Sequence, residues 1–162
     1  MKREEEKWPR VRLEVGLPAA RGVNVYVPIP ETVEYVRQDI PLLPSRSLAL
    51  GRVMFVLERR SGELLGIHSY VKTSRWKTEG VGEPPEPDAE GALFLEYPGD
   101  KDLTFFKAEP DFRYNEVLKA LRITFLEGTR LAFQVADCLV VGADEKGRLT
   151  EVWMLRLPLA ME

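Results

Sequence analysis

"DFRYNEVLKALRITFLEGTRLAF", residues 111–133, is the stretch on which the fold class turns. Its first part reads as a helix. Asp111 stands where an N-cap would, and Tyr114, Val117, Leu118 and Leu121 recur at the spacing that gathers apolar side chains on one helical face. Phe125 keeps that register, which would carry the helix on to a Gly128 cap. The β-branched residues of "ITF" and the alternation around "EG" favour a hairpin there instead. The pattern therefore predicts one main helix, over 111–122.

The segments around it read as strands. "RVRLEV" (10–15) and "VNVYVP" (23–28) alternate apolar and polar residues, the period of a half-buried strand. Residues 28–45 carry four prolines and read as an irregular connection over one end of the sheet. "SLALGRVMFVLERR" (47–60) is apolar on both faces from Val53 to Leu57, which suits a central strand. "LLGIHSYVKTSRWK" (64–77) returns as its hairpin partner. "TEGVGEPPEPDAEG" (78–91) is a long acidic loop rich in proline and glycine. "ALFLEY" and "LTFFKA" flank "PGDK", whose central Pro-Gly suits a type II turn. "FQVADCLVV" and the final strand enclose "DEKG".

The expected class is α+β, predominantly antiparallel β. A strongly curved sheet or partial barrel with the 111–122 helix packed on it comes first, and a β-sandwich is the alternative. No alternating βα rhythm supports a doubly wound sheet. Residues 1–9 read as a loose charged end and 10–162 as one globular domain.

Composition narrows the function classes. Of the 162 residues, 44% are hydrophobic and 30% charged, the profile of a folded soluble chain. The formal net charge of −3 gives no global case for nucleic acid or an anionic membrane as a partner. No stretch is apolar enough to span a bilayer. The amides are only Asn24, Gln38, Asn115 and Gln134, beside abundant Glu and Arg, a composition typical of thermophiles. One cysteine, Cys138, and one histidine, His68, cannot build a thiolate–imidazole zinc cage, so no metal is expected. "GVG" at 80–82 lacks the strand-to-helix setting of a phosphate loop, and no cofactor is expected. A cytoplasmic location is the expected one.

Two groups of residues are candidates for function. Alternation along 66–77 puts His68, Tyr70, Lys72 and Trp76 on one face, with Ile67 and Val71 on the other and Arg75 turned away. Rings for stacking beside Lys72 and a chargeable His68 make a ligand face for an anion; a solvated strand side is the plainer reading. The second group is Asp137, on an apolar strand face, with Arg52 and Arg156 as partners. It reads as a buried ion pair or as the polar lining of a cavity. Cys138 lies in an apolar strand, where cysteines are inert.

These patterns predict a non-enzymatic binding or regulatory module, with its contact surface on the 66–77 strand and the 78–91 loop. It would take a small anionic ligand or a protein partner. The alternatives are a lyase or hydrolase of a small acidic substrate, using Asp137 or His68, and a structural subunit of a homo-oligomer.

Overall fold

The computed structural model describes residues 7–40 and 42–159. The chain is nearly all β, with no α-helix among the described residues and one short 3-10 turn, Thr73–Arg75. The expected α+β class with a main helix is therefore wrong, and the sheets do not close into a barrel. Two six-stranded sheets and a two-stranded ribbon make up the architecture.

The 111–122 segment is a hairpin. β10 (Asp111–Asn115) pairs with β11 (Ala120–Thr124), and Tyr114 lies opposite Leu121. Residues seven apart fall on one helical face, but they also face each other across a tight hairpin. The turn decides the outcome. Asn115 Oδ1 accepts the Val117 and Leu118 backbone N–H groups at 3.1 and 3.0 Å, an Asx-type turn. Lys119 takes a positive φ of 54°, and Val117 and Leu118 are left exposed at the tip. Asp111 caps nothing; its carboxylate binds Arg113 and Lys77.

The first six-stranded sheet has the order β2 (Gly22–Pro28), β3 (Glu31–Arg37), β6 (Leu64–Tyr70), β5 (Val53–Glu58), β4 (Ser45–Leu50), β9 (Leu103–Phe106). Residues 31–37, read as part of an irregular connection, are a full strand. The stretch 47–60 is two strands, because the chain reverses at Gly51–Arg52, where Leu50 pairs with Val53. Gly51 has φ +62°, and a Cβ there would sit 2.4 Å from the Ala108 carbonyl oxygen. Glycine at the first central position and a normal φ at the second fit a type II′ hairpin turn.

The second six-stranded sheet runs β10, β11, β14 (Leu149–Met154), β13 (Leu139–Ala143), β12 (Leu131–Ala136), β7 (Ala89–Glu90). "FQVADCLVV" is again two strands rather than one, with Ala136 opposite Leu139 across a turn at Asp137–Cys138. "ALFLEY" and "LTFFKA" do not pair across "PGDK". β8 (Ala92–Glu96) pairs with β1 (Arg10–Glu14), while β9 runs parallel to β4.

Val33, Phe55 and Leu57 of the first sheet and Ile123, Val141 and Val152 of the second belong to one buried cluster. The β1–β8 ribbon ties the sheets together at one end. Leu95 N–H donates to the Gly62 carbonyl, and Val11 N–H to the Gly147 carbonyl. The expected loose N-terminus falls outside the described residues for 1–6. Trp8, by contrast, is buried and donates its indole N–H to the Leu149 carbonyl at 2.8 Å.

The 78–91 loop is a strap across the outer face of the second sheet. Asn115 Nδ2 donates to the Gly82 carbonyl, Val81 packs with Ala120, Ala132, Val140 and Trp153, and Asp88 N–H donates to the Ala132 carbonyl. Beneath the same face Glu151 is buried, bonded to Arg122 at 3.1 Å, the Thr129 hydroxyl at 2.8 Å and the Trp153 indole. No described helix is long and apolar enough to cross a membrane.

Candidate functional site

At the end of β5 opposite the ribbon, two chain segments cross from the first sheet to the second. One is 71–77, leaving β6 for the edge of β10; the other is 107–110, joining β9 to β10. Side-by-side crossovers leave a gap wherever their side chains diverge. Here the gap is a cleft of about 330 Å³, lined by Arg52, Val71, Lys72, Arg75, Trp76 and residues 108–112.

Each wall has a local cause. β6 stops at Tyr70, and the Thr73–Arg75 turn is fixed by Glu31, whose Oε1 accepts the Thr73 N–H at 2.6 Å and its hydroxyl at 3.1 Å. Trp76 and Lys77 then run beside β10. The Trp76 ring stacks on Phe112 with centroids 6.0 Å apart and planes 2° from parallel. Lys77 N–H donates to the Phe112 carbonyl and Tyr114 N–H to the Lys77 carbonyl. Arg52 enters from the β4–β5 turn.

The electrostatics are unbalanced. Arg37, Arg59, Arg113, Arg122 and Arg148 each hold a carboxylate within 4 Å. Among the described residues, the side chains of Arg52, Lys72 and Arg75 have no ion-pair or hydrogen-bond partner. Two carboxylates, Glu109 and Asp111, line the same cleft. Burial alone would raise the Asp111 carboxyl, but hydrogen bonds from Arg113 and Lys77 outweigh it and hold the group below the usual carboxylate range. Asp111 is thereby already compensated from outside the cleft.

The structure thus brings together Lys72, Trp76 and Arg52, with Tyr70 beside them. Tyr70 lines an adjoining open depression with Glu31, Arg52, Val71 and Lys72. Ile67 and Val71 are buried as the alternation requires. A register shift between Val56 and Leu57 sets Leu64 opposite Leu57, and Leu64 is buried as well. His68 is left out of the cleft. It lies on the outer face of the sheet, 3.1 Å from Glu34 and edge-on to Tyr70 at 5.2 Å. Arg75 was missed, because alternation was carried past Tyr70 into a segment that is no longer a strand. The adjacent Thr73 and Ser74, residues that close turns with their hydroxyls, were the available signal.

Asp137 and Arg156 meet, but at the surface. The Arg156 guanidinium donates to the Asp137 backbone carbonyl at 3.0 Å and lies 3.7 Å from the carboxylate, with half of the Asp137 side chain exposed. Asp137 accepts the Gly22 N–H at 3.0 Å. A hairpin turn, not an apolar strand face, accounts for the carboxylate, and Arg52 has no part in it. Such an exposed pair is worth little.

Cys138 is buried in the core. Burial first, and the neighbouring Asp137 carboxylate second, push its thiol up to about 12. At pH 8 the thiolate fraction is then on the order of 10⁻⁴. A thiol-reactive disulfide reagent is expected to label Cys138 only as the protein unfolds in denaturant. Immediate stoichiometric labelling of the native protein would contradict this burial.

No protein-family model matches the chain, and no curated protein is a significant match to it.

Proposed function

We propose that the protein is a binding module for an anionic ligand, seated in the cleft of Arg52, Lys72, Arg75 and Trp76. One observation carries the reading: three cations without acidic partners converge on one cleft in a chain of net charge −3. Like charges held together repel, and an anion between them relieves that repulsion while gaining charge-assisted hydrogen bonds. Beside the carboxylates Glu109 and Asp111 the walls supply cations and rings, with no serine, cysteine or threonine nucleophile among the lining residues, which favours binding over catalysis. A single buried cysteine suits a reducing, cytoplasmic setting.

Calorimetric titration with inorganic pyrophosphate at low salt tests this. Lys72→Ala and Arg75→Ala should each weaken binding by about 1.5–3 kcal/mol, the scale of a hydrogen bond to a charged group. Affinity unchanged in the double variant would remove the proposal.

A further inference from the structure

The cleft does not stand alone. On one side it continues, through the shared residues Arg52, Val71 and Lys72, into the open depression under Tyr70. On the other side Trp76 is a ridge shared with a third hollow of about 330 Å³, which Lys77, Glu79 and Arg113 also line, both cations being paired with Asp111. Three contiguous hollows along residues 70–77 make a groove. Its contour is roughly 20 Å, counting extended backbone at about 3.3 Å and 3-10 backbone at about 2 Å per residue. A compact anion would fill only the middle.

The chemistry along the groove alternates. Tyr70 is 60% exposed and touches His68 only edge-on, so its ring is available for stacking. Arg52, Lys72 and Arg75 follow, beside the carboxylates of Glu31, Glu109 and Asp111, and then Trp76, backed by Phe112 and tilted against Tyr114. Ring, cations, ring is the order met along a single strand of nucleic acid, whose bases flank a charged backbone. A duplex keeps its bases stacked on each other and offers no free base to either ring. Resting on the anion-binding reading, we infer that the groove takes a short single-stranded nucleic acid, its backbone on the three cations and its bases on Tyr70 and Trp76.

The test is fluorescence anisotropy with a labelled eight-nucleotide oligothymidylate. Unlabelled pyrophosphate, thymidine monophosphate, heparin and a duplex of the same length serve as competitors. The oligonucleotide should bind at least tenfold more tightly than the monophosphate and the duplex. Tyr70→Ala, which removes an exposed ring, should weaken it at least about fivefold while leaving pyrophosphate affinity unchanged. Lys72→Ala should lower the slope of log K against log salt by about 0.7. Trp76→Phe keeps the stack on Phe112 and should weaken the oligonucleotide less than Tyr70→Ala.

If pyrophosphate binds and the oligonucleotide is no tighter than the monophosphate, this inference is overturned and the anion site stands. If heparin competes as well as the oligonucleotide and Tyr70→Ala has no effect, charge alone governs binding and the stacking assignment fails. If neither pyrophosphate nor the oligonucleotide binds, both readings fall.

Discussion

Phe55→Ala is expected to destabilise the protein by about 3–5 kcal/mol, the usual cost of emptying a fully buried aromatic site. Phe55 is completely buried on the inward face of β5. Its ring meets Phe125, which follows β11 of the other sheet, at a centroid distance of 5.8 Å. The residue therefore reports on the shared core as well as on its own strand. Removing it leaves a cavity between two sheets, each braced by its own hydrogen-bond ladder and poorly able to collapse inward. Urea unfolding should show a lower midpoint with an unchanged slope, since the surface exposed on unfolding is nearly the same. A loss below about 1 kcal/mol would mean that the two sheets do not share this core.

The second large effect is expected at the turn that carries Arg52. Gly51→Val should cost about 3 kcal/mol and also weaken anion binding. Two terms add. A β-branched residue at φ +62° is strained, and its Cβ would sit 2.4 Å from the Ala108 carbonyl oxygen, so backbone must move. Ala108 lines the cleft, so the relaxation displaces that wall. Gly147→Ala is the control, because Gly147 has φ +81° but open space around its would-be Cβ. It should cost only about 1 kcal/mol and leave binding intact. Equal losses at the two positions would show that the approach to Ala108 does not matter.

Strand periodicity was legible where residues alternate without interruption, as in "RVRLEV" and "VNVYVP". It misled where a two-residue turn sits inside an apolar run. Gly51–Arg52 and Asp137–Cys138 each look like two consecutive positions of a longer strand, and each reverses the chain. That one error explains both the misplaced Arg52 and the supposedly buried Asp137. The helix over 111–122 failed for a related reason. Apolar residues seven apart satisfy a helix and a hairpin equally, and the deciding bonds come from Asn115, which periodicity does not weigh. The 31–37 strand was hidden by flanking prolines, although "TVEYV" carries the alternation.

The candidate site was half legible. Lys72, Tyr70 and Trp76 stood out as an aromatic and basic stretch, and they do lie together. Their convergence with Arg52 and Arg75 depends on where two crossovers pass, a long-range feature that no local pattern encodes. His68, the most conspicuous side chain of that stretch, is held by Glu34 on the outer face of the sheet.

We propose that this cleft is where the protein holds an anion. Crystals soaked in tungstate, an electron-dense tetrahedral oxyanion, test it most directly through the anomalous signal of the metal. An ordered oxyanion is expected within hydrogen-bonding distance of Arg52, Lys72 and Arg75, and none there in a Lys72→Ala/Arg75→Ala crystal. Tungstate ordered elsewhere, for example beside Lys7 and Lys107, with nothing between Arg52, Lys72 and Arg75, would contradict it.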